Sequence, residues 1–301
     1  QVVFSKASED NQVDSARLVL GVVFQGRARA YPVQYLAYHH YISDQFEDSS
    51  LLLTYCTVCR TGRVYLPYDQ DQLLRFRLVG MDRFNAMIED HASKSWWQQA
   101  TGEAVAGLAK GRSLPEYPFF QGSLSEWLKL HPESQILQPD CSAEAKYAKL
   151  SGFEAGLGKS HLTRSDTSAW MDKSRIVGIS WNGMSKAYDW KDLKEYGCIN
   201  DTLGPASVLI ALASDGKSFA AFLRSDRDSF FIKGNDTISN GAMHYTFAGN
   251  CIPDDQSMTC TDLIPVQAYQ EFWHSWRTFH PNSGQYRPAA APCSKGSGVA
   301  E

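Results

Sequence analysis

The stretch Gly21–Leu66, GVVFQGRARAYPVQYLAYHHYISDQFEDSSLLLTYCTVCRTGRVYL, returns without a gap as Gly178–Leu223, GISWNGMSKAYDWKDLKEYGCINDTLGPASVLIALASDGKSFAAFL. One constant offset sets Gly26 on Gly183, Ala30-Tyr31 on Ala187-Tyr188, Leu36 on Leu193, Ile42 on Ile199 and Asp44 on Asp201. The apolar run Leu51–Leu53 falls on Val208–Ile210. A fixed-period self-match of this length means that one structural unit is used twice. Each copy reads as α+β. A hairpin turns at Gly26, and VQYLAYHHYISDQ, with Tyr35, Leu36, Tyr38 and Ile42, suits a short helix packed on a sheet. SSLLLTYCTV, GRVYLPY and QLLRFRLVG read as strands. SLSEWLKLHP, with a capping Ser and a terminating Pro, reads as a closing helix. Its counterpart HSWRTFHPNS from His274 lies at a different offset, so the later parts have drifted in length. The expected fold is α+β: two related β-rich lobes from an internal duplication, each a mostly antiparallel sheet with short helices. The first spans residues 1–140 and the second, degenerate one 141–286, with a disordered tail at 287–301 that holds Cys293.

Within that frame, the copies differ where chemistry is concerned. Cys56 meets Ala213, Cys59 meets Gly216 and His39 meets Tyr196. Ala and Gly crosslink nothing, so the Cys-x-x-Cys of TYCTVCRTG is expected to do something other than hold the framework. Arg60 follows Cys59 where covalent haem wants His, so haem is rejected. Structural zinc wants four ligands, and there is no second Cys-x-x-Cys. A thiol–disulfide couple needs an accessible thiolate, which a cation such as Arg60 would favour. The motif is followed by turn and strand, however, where thioredoxin-like enzymes have a helix. A thiolate–imidazole site for copper, zinc or iron remains, with His39 supplied by the preceding helix. His39 and His40 lie about 100° apart around a helix, so one of them is expected to face the motif. In SWWQQATGEAVAG, Trp97, Gln99 and Glu103 are candidates to hydrogen-bond the ligands or to ligate in their place, together with His40 and Arg60. Trp273 and Trp276 read as core anchors, and His131 and His280, each before Pro, as structural.

Composition narrows the partners. A net charge of -4 from interspersed signs leaves no basic run for nucleic acid. No apolar stretch approaches the ~20 residues of a membrane span. Cys251 and Cys260 flank a polar loop and form a disulfide candidate, which would place the chain in an oxidising compartment. The chain opens on Gln1 with neither Met nor signal peptide, the form expected of a mature or trimmed protein.

GRARAYPVQYLAYHHYISD, LTYCTVCRTG, SWWQQATGEAVAG and EWLKLHPES resemble, in order and spacing, the bacterial proteins grouped as the domain of unknown function 3179 family. The resemblance sets the family's His on His39, its cysteines on Cys56 and Cys59, its Trp-x-Gln on Trp97 and Gln99, and its TGEA on Thr101–Ala104. It implies an exported bacterial protein. This chain departs from the pattern at Tyr38, Thr57-Val58 and Arg60. The leading expectation is an extracytoplasmic, periplasmic or secreted metal-binding protein with Cys56, Cys59 and His39 as ligands. Copper is the first metal expected, and a small molecule or a metal donor or acceptor protein the partner. Two alternatives stand beside it: a metal-free thiol–disulfide oxidoreductase using Cys56 and Cys59, and a non-catalytic binding module with a structural disulfide.

Overall fold

The computed structural model describes residues 2–9, 12–150, 153–154, 164–253 and 260–288. Of the tail expected to be disordered, 287–301, all but Arg287 and Pro288 lies outside the described residues, Cys293 included. Strands dominate, in several mostly antiparallel sheets, and the helices are short.

The hairpin expected at Gly26 joins strands Leu18–Phe24 and Arg27–Pro32, with Gly26 at φ 72°. Phe120–Ser123 adds antiparallel to the first strand, and Gln135–Leu137 adds parallel to the second. Between these additions lies the helix Leu124–Leu130, capped as expected by the Ser123 side chain. The second half repeats the arrangement. Arg175–Trp181 pairs with Met184–Asp189, Ala268–Phe272 adds antiparallel, and Gly284–Gln285 adds parallel. The helix Trp273–Phe279 occupies the same place between additions.

Both closing helices explain a glycine. A Cβ on Gly21 would lie 2.3 Å from the Trp127 ring, and one on Gly178 would lie 2.4 Å from the Trp276 ring. Each indole Nε1–H then donates to a serine seven residues on, Ser134 or Ser283, at 2.7 Å. His131 and His280 pack against these same rings.

After each hairpin comes a helix, Val33–His39 or Trp190–Tyr196, and then a second sheet. Tyr41–Phe46, Ser49–Cys56 and Thr61–Tyr65 form it in the first half, and Cys198–Leu203, Ala206–Leu212 and Phe219–Leu223 in the second. Helix and sheet are tied alike: His40 O accepts from Tyr55 N, and Gly197 O accepts from Leu212 N. The middle strands are almost wholly buried apolar runs, as expected of strands covered on both faces.

The halves are packed through one another. The largest apolar cluster joins Leu20, Leu36, Leu51 and Leu53 to Ile176, Ala187, Trp273 and Trp276. The Gln121 side-chain amide brackets the Gln270 backbone, donating to its carbonyl and accepting from its N–H. The buried Arg63 guanidinium meets the buried Glu271 carboxylate at 2.6 Å. Each closing segment therefore leans on the opposite half, and this brings the second half to the cysteines.

Candidate functional site

The Cys-x-x-Cys lies in a hairpin connection. Cys56 ends one buried strand and pairs with Thr61, which starts the next, so Thr57-Val58-Cys59-Arg60 form the link. Arg60 takes the left-handed position at φ 57°. There is no helix after the motif.

Cys56 and Cys59 are both buried free thiols. Their Sγ atoms lie 3.5 and 3.3 Å from the same carbonyl, Phe84 O, which accepts from a sulfur that carries its proton. Ala86 and Val58 complete a small apolar enclosure. The two thiols are displaced in opposite directions. The hydrogen bond from Cys59 holds Cys56 below the usual thiol range against its burial, with backbone N–H groups of Cys59, Ala86 and Val58 assisting. The same bond, then burial, then the Cys56 charge, push Cys59 up.

The cover over the thiols is a hairpin tip. Strands Phe76–Asp82 and Asn85–Asp90 are joined by Arg83-Phe84 alone, with Asp82 paired to Asn85. Both turn residues have positive φ, 46° and 68°. A two-residue hairpin wants that geometry but ordinarily uses Asn or Gly, and each non-glycine residue there costs about 1–3 kcal/mol.

The second half supplies the other walls. Val58 O accepts from Lys173 Nζ at 2.6 Å and lies 3.0 Å from His274 Nε2, which must carry the proton because a carbonyl only accepts. Cys59 O accepts from Phe272 N at 3.0 Å. Burial lowers the pKa of Lys173, while the charges of Cys59 and Cys56 oppose that shift. Burial likewise keeps His274 toward its neutral form. Thr61 Oγ1 bonds Glu271 Oε2 and lies 3.1 Å from Ser275 Oγ.

The residues singled out in the sequence divide into two groups. Gln99 stands with the cysteine hairpin: its amide donates to Thr54 Oγ1 and Thr61 O and accepts from Asn85 Nδ2 at 2.8 Å. Trp97 is a buried prop whose Nε1 donates to Asp90. His40 caps the first helix in a left-handed conformation, φ 64°, against the backbone of Tyr55, and its Nδ1 is buried without a partner. Arg60 turns away from the thiols to Phe153 O, Glu154 O and Gln270 Oε1. The cation acting on the thiols is thus Lys173, not Arg60. His39 belongs elsewhere: its Nε2 lies 2.7 Å from Tyr147 Oη, in a separate cavity of about 680 Å³ shared with Asp140 and Cys141. Glu103 is exposed. Among the described residues, no group of three or more His, Cys, Asp or Glu is placed to hold a metal ion. Cys251 and Cys260 are joined by a disulfide, with Cα atoms 6.0 Å apart.

Sequence reasoning missed Lys173, Glu271, His274 and Phe84. A signal for two of them was present. With Trp127 set on Trp276, Glu271 and His274 stand where the first half has Gly122 and Ser125. Polar groups thus appear in the copy that faces the cysteines.

The model of the family described as "Protein of unknown function (DUF3179)" matches residues 1–283. The chain belongs to this family. No curated protein and no solved structure matches it. Two of the four sequence motifs meet here, the cysteine pair at the hairpin and Gln99 bracing it with Trp97 beneath, while His39 lies apart. The glycine of the TGEA segment is required by packing, since a Cβ on Gly102 would lie 2.6 Å from Tyr65.

Proposed function

We propose that this protein is a thiol–disulfide redox protein whose couple is Cys56 and Cys59. The observation that carries this reading is a pair of buried free thiols three residues apart in one hairpin, both set against Phe84 O. The hydrogen bond between them biases Cys56 toward thiolate and Cys59 toward thiol. The thiolate is the nucleophile in exchange. Cys56 Sγ⁻ attacks one sulfur of a substrate disulfide, forming a mixed disulfide and releasing the other sulfur as a thiolate, which takes a proton from solvent. Cys59 then loses its proton and attacks Cys56 Sγ. That step closes Cys56–Cys59 and frees the second substrate thiol. Two electrons pass from the protein dithiol to the substrate disulfide, and an external dithiol reverses the sequence. Buried Lys173, beside Val58, favours the anionic state electrostatically. Displacement of the Arg83-Phe84 tip opens the path to the thiols, and its unfavourable backbone lowers the cost of leaving the closed form.

The test is trapping. A Cys59→Ser variant treated with a small disulfide is expected to accumulate a mixed disulfide at Cys56, found by intact mass. Failure of Cys56 to react while the fold persists by circular dichroism would defeat the reading.

A second reading uses the same atoms. Two buried thiolates facing one small enclosure suit a soft ion, copper(I) first, more than zinc or iron, which take further ligands. His39 would join only by leaving Tyr147. Metal content of protein prepared without chelator, compared with a Cys56→Ser/Cys59→Ser variant, separates the two. The binding-module alternative predicts neither reversible exchange nor metal.

The recurrence of strand pairings, glycine–tryptophan contacts and helix ties supports an internal duplication, with units at 1–140 and 141–286. The Cys251–Cys260 bridge supports an extracytoplasmic, oxidising location. The partner would then be a disulfide-bearing protein or small molecule of that compartment.

A further inference from the structure

A cleft of about 430 Å³ opens between the halves, on the side of the cysteine hairpin to which Arg60 points. That volume lies within the ~300–1,000 Å³ range of small-molecule sites. Its wall carries Arg17, Arg60, Arg175, Lys194 and Lys217 against Asp14 and Glu154. The chain as a whole is net negative, so this concentration runs against its composition. Elsewhere buried arginine is paired with carboxylate, as Arg29 is with Asp44 and Arg63 with Glu271. Here, among the described residues, none of the five cations makes an ion pair.

The neutral partners are few. Arg60 is buried and bonds two carbonyls and an amide oxygen. Lys217 bonds Ala16 O. Arg175 lies over the Trp190 ring, and the nearby Asp189 is occupied by Ser174 and the Lys191 backbone. Glu154 compensates in part: Arg17, Arg60 and Lys217 favour its anion, but burial outweighs them and pushes its pKa up. Of its oxygens, one accepts from Leu18 N and the other is buried without a hydrogen-bond partner. Burial and the neighbouring Arg60 bring Arg175 down to about 10. Arg60 is buried, Arg17 and Arg175 are half-buried, and Lys194 and Lys217 are exposed. Five cations facing two carboxylates across one cleft suit a ligand that supplies further negative charge.

We infer that this cleft is a binding site for a small organic polyanion, a di- or tricarboxylate or a phosphate ester. Arg175 and Lys194 are its uncommitted donors, and Arg60 is its fixed positive floor. The inference stands apart from the redox reading, because the thiols do not line the cleft.

Isothermal titration of the full chain with malonate, citrate and inorganic phosphate, beside neutral malonamide, tests it. At least one anion is expected to bind saturably, more weakly as salt rises, while malonamide does not bind. Arg175→Met and Lys194→Met should each weaken that anion at least tenfold. Arg175→Met should also melt no lower than the parent in anion-free buffer, because it removes a repelled charge. Citrate favoured over phosphate points to a carboxylate ligand, and the reverse to a phosphate ester. No saturable binding of any of the three up to ~10 mM, or equal binding by parent and both variants, would overturn the inference.

Discussion

The hairpin 56–61 and its counterpart 213–218 close the same gap between buried strands, yet they are held in opposite ways. The second is braced chiefly by two carboxylates of its own half. Asp215 accepts from Lys217 N, Ser218 N and Ser218 Oγ, and Asp236 accepts from Ser214 N and Oγ. Its left-handed residue is Gly216, at φ 63°. Within the first, Thr61 Oγ1 reaches Cys59 O at 3.4 Å, and no carboxylate of the turn braces it. Its carbonyls are held from outside by Lys173, His274 and Phe272, and its left-handed residue is Arg60. A turn braced by its own side chains has none left for chemistry. A turn braced by its neighbours keeps both thiols available.

The comparison is broken most severely at the bridge between halves. Glu271→Ala leaves buried Arg63 only its longer pairing with Glu116, at 3.5 Å, and a loss of about 3 kcal/mol is expected in urea unfolding. A loss under 1 kcal/mol would show that the second half does not brace the cysteine hairpin as described. Next come the paired glycines. Gly21→Ala and Gly178→Ala each drive a methyl into a tryptophan, and each should cost about 1–3 kcal/mol. Unequal costs would mean that the two closing helices are not equivalent.

Lys173→Met sharpens the comparison at the thiols. In the parent, Cys56 is held below the ~8.5 of a free thiol, so its thiolate and its alkylation persist as pH falls below that value. Both are lost only as pH passes down through the depressed pKa. Removing the lysine cation should shift the alkylation profile toward higher pH and slow the neutral-pH rate, while Lys217→Met leaves it unchanged. The smallest effect is at the helix ends. His40 and Gly197 share one left-handed conformation. Relief of strain should make His40→Gly more stable by about 1 kcal/mol, and Gly197→His should cost a similar amount. Chemical denaturation of both variants decides it, and a destabilised His40→Gly would assign the histidine a packing role instead.

Much of the framework was legible because it rests on short-range rules. Alternation, the Gly26 turn and the Ser123 cap each dictate local structure from a few adjacent residues. The Cys-x-x-Cys was equally visible as a motif. Its surroundings were not, because Lys173, Glu271 and His274 reach it only through packing of one half on the other. The expectation for His39 came from proximity along the chain. The backbone turns at His40 and carries His39 to Tyr147 instead. Nor does pattern predict that Arg83-Phe84 would turn a hairpin in which both residues are disfavoured, since propensity argues against it.

The most direct measurement is an equilibrium titration of the parent protein in dithiol–disulfide buffers, with acid quenching, alkylation and peptide mass analysis at Cys56 and Cys59. The account predicts a single reversible two-electron transition in which both cysteines lose their alkylation together, at a potential that Lys173→Met displaces. Cysteines that stay fully alkylated across the whole range, or that oxidise separately and do not recover, would contradict it.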